Sequence, residues 1–200
     1  MLNVGMIVGS TRPNRFADIV APWVAEGGSA RPDLQLTTLD LHEYRLPFFN
    51  EPAPPSYTSG VYTQPEAEAW RKRIAEFDAF VATVAEYKHG PTAVLKNAFD
   101  SASLEWQRKP IDFVGYGGVG AARAIETLRG VVIELQMAPI RHEVNIAMEP
   151  YLGIVQDGRS LNDYDYLVKS REAMFDNLVW WGEALKAARP RTLAESAVAA

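Results

Sequence analysis

Three short stretches of this chain gather residues that can do chemistry. The first is Gly9-Ser10-Thr11-Arg12-Pro13-Asn14-Arg15, after the apolar run at residues 3–8 and before Phe16, Ile19, Val20, Trp23 and Val24 at helical spacing. A strand that runs into a helix N-terminus aims backbone N–H groups and the positive end of the helix dipole at one point, which suits an anion. Two hydroxyls and two guanidinium groups add donors for a phosphate. The plainer reading is a helix cap with two solvated arginines. A Walker A loop is excluded, since no Gly-Lys-Ser/Thr follows.

The second stretch, Ala85-Glu86-Tyr87-Lys88-His89-Gly90-Pro91, crowds charged and aromatic residues at the exit of an apolar run, where a tyrosine can pack beside a flat ligand. A polar strand end closed by a Gly-Pro turn is the bland alternative. The third, Gly115-Tyr116-Gly117-Gly118-Val119-Gly120, matches Gly-x-Gly-x-x-Gly literally. The dinucleotide fingerprint belongs in a first βα turn, however, and this one follows a fourth strand. Consecutive glycines also let backbone amides approach a planar ring. His42, His89 and His142 show no ligand spacing, so no metal site is expected, and Ser10 lacks a Gly-x-Ser-x-Gly elbow.

The elements that must position these loops follow from periodicity. Short apolar runs at 3–8, 34–41, 79–85, 111–115 and 139–146 alternate with helix-period segments, the signature of βαβ units and a parallel sheet. The run at 79–85 reads as a central strand buried on both faces, and the one at 139–146 as a polar edge. Pro22 predicts a kink in the first helix. The aromatic-rich segment 42–64 reads as an ordered loop that packs on a partner or covers a site. The result is an α/β, doubly wound, three-layer α/β/α sandwich in one domain over residues 1–190, with a disordered tail at 191–200. In such sheets ligands bind beyond the carboxyl ends of the strands, where strand order reverses. All three loops lie at such ends.

Composition narrows the chemistry further. The chain has 200 residues, 48% hydrophobic and 22% charged, with a net charge of −5. That is globular, and it argues against a nucleic-acid or anionic-membrane surface. Cysteine is absent, which excludes disulfides, a thiol nucleophile and cysteine-ligated metal. The start runs directly into a short apolar strand without a basic leader, so a cytoplasmic protein is expected.

Gly9-Ser10-x-Arg12, then Glu86-Tyr87 with Leu95-Lys96-Asn97-Ala98, then Tyr116-Gly117-Gly118 with Arg123-Ala124 and Leu128-Arg129, occur in this order over about residues 3 to 130. This set resembles the NADPH-dependent FMN reductases, flavodoxin-like proteins that include quinone and azo-dye reductases. The resemblance implies a flavodoxin-like five-stranded parallel sheet. It places the FMN phosphate on Ser10, Arg12 and the amides of Asn14, Arg15 and Phe16. Glu86, Tyr87 and Lys88 would then line the flavin ring, with Tyr116, Gly117 and Gly118 at its pyrimidine side. The family more often has a small hydroxyl residue at Arg15, asparagine at Lys88 and serine at Gly115. The resemblance further implies hydride transfer from NADPH or NADH to FMN, then reduction of a quinone or free flavin in a ping-pong cycle. That chemistry needs no side-chain acid or base, so no catalytic residue is assigned. A homodimer or homotetramer is also implied, with large apolar groups on the 44–62 loop and on the helices of Trp70 and Trp181 at the contact. The competing class is a flavodoxin-type electron carrier, which Arg12 and Arg15 argue against, since carriers use hydroxyl-rich phosphate loops.

Overall fold

The seven residues from Ala79 to Ala85 are buried without exception, and they form β3 at the centre of a five-stranded sheet. In the computed structural model, which describes residues 1–57 and 61–189, the strands are β1 (Leu2–Val8), β2 (Leu34–Asp40), β3 (Ala79–Ala85), β4 (Pro110–Tyr116) and β5 (Ala138–Ile146). Their order is β2-β1-β3-β4-β5 and every pairing is parallel. This is the flavodoxin-like order. The chain moves outward from β1 to β2, then crosses back to put β3 on the other side of β1. The strand order therefore reverses between β1 and β3, where Val8 pairs with Thr83 at the carboxyl ends.

Helices cover both faces. On one face α1 (Ala17–Ser29) and α7 (Asp165–Ala188) bury Val20, Val24, Leu167, Met174 and Leu178 against Met6, Val81 and Val144. On the other, α3 (Pro65–Ala75), α4 (Ala93–Asp100) and α5 (Ala122–Glu134) bury Trp70, Leu95, Phe99 and Leu128 against Ile7, Phe80 and Phe113. A four-residue helix α2 (Leu41–Tyr44) follows β2, and α6 (Met148–Asp157) follows β5. No helix of the described residues is long and apolar enough to cross a membrane.

Several expectations change. α1 is continuous from Ala17 to Ser29 with Pro22 exposed in its second turn, where the missing N–H leaves the Asp18 carbonyl without a helical partner. Trp70, expected on the surface, is fully buried and donates from Nε1 to the Ala98 carbonyl at 2.8 Å, so it is core. The described part of the 42–64 loop is clasped to α4. Phe49 N–H donates to Asn97 Oδ1 and Asn97 Nδ2 donates to the Pro47 carbonyl, each at 2.8 Å. The α6 helix has no counterpart in the sequence expectation. The tail at 191–200 lies outside the described residues.

Candidate functional site

Beyond the carboxyl ends of β1, β3 and β4 opens a cleft of about 470 Å³. Its first wall is the β1–α1 loop. Gly9 is held at both backbone atoms: its N–H donates to Thr83 Oγ1 at 3.2 Å, and Thr92 Oγ1 donates to its carbonyl at 2.5 Å. Thr92 also caps α4 by accepting from Leu95 N–H at 3.2 Å. The loop is thus pinned to the end of β3 and the start of α4. Beyond it, the amides of Arg12, Asn14, Arg15 and Phe16 donate to no group of the described residues, and Asn14 takes a left-handed φ of 53°. These are free donors at the mouth of α1, whose N-cap Phe16 supplies no side-chain cap.

The two arginines of this loop differ. Arg12 is exposed and makes no ion pair or hydrogen bond with the described residues. Arg15 donates from Nη1 to Asp40 Oδ1 at 2.7 Å and from Nε to Asp18 Oδ1 at 2.8 Å, with further short contacts to Asp40 Oδ2 and the Ser10 carbonyl. The Asp40 contact pushes the Arg15 pKa further up, against the opposing effect of burial. Burial alone would raise the Asp40 carboxyl, but Arg15 and the His42 N–H hold it below its ordinary value. Arg15 therefore lines the cleft with its charge already compensated, bolting the loop to the end of β2.

The second wall is the β3–α4 loop. Tyr87 N–H donates to the Gly90 carbonyl at 2.8 Å and Gly90 N–H donates back at 3.0 Å, with φ of 52° at Lys88 and 69° at His89. Positive φ at both central residues is the pattern of a type I′ turn. Lys88 consequently sits at an exposed tip outside the cleft, unlike the other ten expected residues, all of which line it. Glu86 crosses to the third wall. Its carboxylate accepts from Arg123 Nε at 2.8 Å and from Arg123 N–H at 3.2 Å, at the start of α5. Burial opposes ionisation of Glu86, yet Arg123 holds its carboxyl below the ordinary value. A carboxylate at the N-terminus of α5 occupies the place a pyrophosphate would take in a dinucleotide fold built on the 115–120 turn. The helix N-terminus after the 115–120 turn is therefore already occupied by Glu86.

In this loop Gly117 has φ +142°, which L side chains rarely adopt, and neither Gly117 nor Gly118 puts a side chain between its backbone and the cleft. Tyr116 beside them is 5% exposed, and its hydroxyl makes no well-formed hydrogen bond with the described residues, the Ser10 side chain being within its electrostatic reach. Burial, with Tyr87 beside it, pushes the phenol up, so the group stays a neutral donor. Ser10 Oγ and Tyr87 Oη lie 3.3 Å apart at the same spot.

A fourth wall has no counterpart in the sequence expectation. From α6, Met148, Tyr151 and Val155 face the cleft together with Ile19 of α1. Tyr151 packs on Phe16 at 4.9 Å between ring centroids, and Phe16 on Tyr116 at 5.6 Å. The signal was slight: Glu149 and Pro150 in a first turn and Gly158 as a left-handed C-cap with φ +66°. Among the described residues no cluster of three or more His, Cys, Asp or Glu can hold a metal.

The family model described as NADPH-dependent FMN reductase matches residues 2–150. This chain belongs to that family. An NAD(P)H-dependent FMN reductase of Schizosaccharomyces pombe is 35% identical over 136 residues, covering 67% of this chain and 68% of that protein. One from Saccharomyces cerevisiae is 30% identical over 145 residues, covering 68% and 76%. Among solved structures, the flavoenzyme NAD(P)H:(acceptor) oxidoreductase FerB of Paracoccus denitrificans superposes with a TM-score of 0.71 over 92% of this chain and 98% of its own, at 22% identity. That likeness supports the flavodoxin-like fold. The residues of the cleft fit the cofactor of an FMN reductase family: free amides and an unpaired guanidinium for a phosphate, an orphaned buried hydroxyl, a side-chain-free glycine pair, and aromatic walls.

Proposed function

We propose that this chain binds one FMN in the cleft and catalyses its reduction by NADPH or NADH, with a quinone or free flavin as the final acceptor. The observation that carries this reading is the meeting, at the β1–β3 switch point, of unpartnered phosphate donors with the partnerless buried hydroxyl of Tyr116. FMN, when bound, supplies the centre that takes hydride from nicotinamide and passes electrons on.

The chain's own residues do the rest. The Arg12 guanidinium and the amides of residues 12 and 14–16 fix the phosphate, with Ser10 as a further donor. Arg15 orders that loop through Asp40 rather than contacting the phosphate itself. Tyr87, with Glu86 backing it through Arg123, forms one side of the ring site. The Tyr116 hydroxyl and the Gly118 N–H offer neutral hydrogen-bond donors to the pyrimidine side, where negative charge collects on reduction, while Gly117, whose N–H is held by the Ile146 carbonyl, keeps that approach free of a side chain. Lys88, at its turn tip, takes no part. The apolar faces of Met148, Tyr151 and Val155 exclude water and leave one open mouth, so nicotinamide departs before acceptor enters.

Steady-state oxidation of NADPH with varied quinone tests this. Parallel lines in double-reciprocal plots are expected. Intersecting lines refute the shared mouth, and a flavin-loaded protein that oxidises neither nucleotide returns the case to an electron carrier.

A further inference from the structure

A separate cavity of about 360 Å³ shares the β1–α1 loop with the flavin cleft: Thr11 borders it, while Ser10 and Arg12 border the cleft. Its apolar lining is Leu41, Leu46 and Val94, and its polar lining includes His42 and Arg45. Asn97, the remaining residue there, is fully engaged by Pro47 and Phe49, which fixes the loop that frames the cavity.

Arg45 has no carboxylate partner among the described residues, whereas His42 lies within electrostatic reach of Asp40. Most described arginines are paired with a carboxylate, as Arg15, Arg31, Arg71 and Arg123 are. Among the described residues the exceptions are Arg12, Arg45, Arg108 and Arg141. Of these four, Arg12 lines the flavin cleft and Arg45 lines this cavity, on a chain whose net charge is −5. The Arg45 backbone is left-handed, with φ 42°, where α2 ends. A guanidinium without an acid partner, in a cavity that an imidazole also lines, suits a phosphate, and the apolar residues of that lining suit a planar base.

We propose that this cavity is the subsite for the adenosine 2′-phosphate of NADPH, with Arg45 and His42 on the phosphate and the base against Leu41, Leu46 and Val94. The proposal rests on the function proposed above: the 10–12 stretch borders both cavities, so a dinucleotide with its nicotinamide in the cleft and its adenosine end passing over that stretch would reach this one. The 2′-phosphate is the group that distinguishes NADPH from NADH, so Arg45 would set nucleotide preference.

The test is calorimetric binding of 2′,5′-ADP and of 5′-AMP to the FMN-loaded protein, for wild type, Arg45→Ala and Arg141→Ala. The last removes an equally unpaired arginine from β5 as a control. Wild type and Arg141→Ala are expected to bind 2′,5′-ADP at least tenfold more tightly than 5′-AMP, and Arg45→Ala to lose that preference. Equal binding of the two nucleotides by wild type, or a preference that survives Arg45→Ala, overturns the subsite. NADPH oxidation by the same wild-type preparation keeps the two questions apart. Turnover without a 2′,5′-ADP preference removes the subsite and leaves the enzyme, whereas absence of turnover with either nucleotide removes the enzyme.

Discussion

Arg12 and Arg15 stand three residues apart in one loop and have opposite surroundings. Arg12 meets no acid, so its charge is free for a ligand, whereas Arg15 is committed to Asp40 and Asp18. Arg12→Ala removes a charge-assisted contact worth roughly 1.5–3 kcal/mol, so FMN affinity measured by fluorescence quenching should fall about ten- to a hundredfold. Asp40→Asn leaves Arg12 untouched and loosens the loop, and a smaller loss of about 1 kcal/mol, about fivefold, is expected. Binding that stays at the wild-type value in Asp40→Asn would show that Arg15 needs no partner. The same pair makes a pH prediction. The Asp40 carboxyl is depressed in the folded state, so its contribution is complete above the ordinary value of 3.8 and is lost as pH falls below it. Glu86 behaves in the same sense from its ordinary 4.5. FMN release and unfolding should therefore begin together on acidification below this range, and flavin fluorescence against pH checks it. Which arginine would be free was not legible from the sequence, because the deciding residue, Asp40, lies 25 positions away at the end of another strand.

At the scale of elements, α6 is seated on Phe16 through Tyr151 and on Tyr164 through Gly153. Tyr164, just before α7, tucks its hydroxyl under Gly153, where a Cβ would stand 2.0 Å away, and Arg159 lies over its ring at 4.2 Å. Gly153→Ala must push α6 away from its seat, costing about 1–3 kcal/mol, as overpacking does. Because Met148, Tyr151 and Val155 ride on that helix, thermal stability and acceptor KM should both change. Gly130→Ala in α5 meets nothing within 4 Å and should gain about 0.5–1 kcal/mol with unchanged kinetics. Equal effects of the two substitutions in melting and kinetic assays would refute the seat. The contrast also shows what a sequence reveals. β3 is legible because burial on both faces leaves a continuous apolar run, and β1, β2, β4 and β5 carry enough of the same signal to fix the sheet. The α6 helix is not, because only Pro150 and Gly153 of it are buried, and its apolar side faces a cleft rather than the core. Lys88 misleads for a related reason: its neighbours Glu86 and Tyr87 face the cleft, and only the left-handed turn reveals that the next residue does not.

For the molecule as a whole, exposed apolar side chains line the cleft and its neighbouring elements. Ile19, Met148 and Val155 in the cleft lining are between 42% and 57% exposed, Leu152 lies on the same helix as Met148 and Val155, and Val119 follows Gly118 in the β4–α5 loop. Groups of this kind on one side mark a contact surface. We propose a homodimer or homotetramer that covers them, with light scattering at micromolar concentration giving at least twice the chain mass. A monomer mass there would refute it. The cleft itself is tested most directly by the visible spectrum of the purified protein, titrated with FMN and then with NADPH in the absence of oxygen. Saturation at one FMN per chain, followed by bleaching with one equivalent of NADPH, is the expected result. A colourless protein that takes up no FMN, or a flavin spectrum that NADPH and NADH leave unchanged, would contradict it.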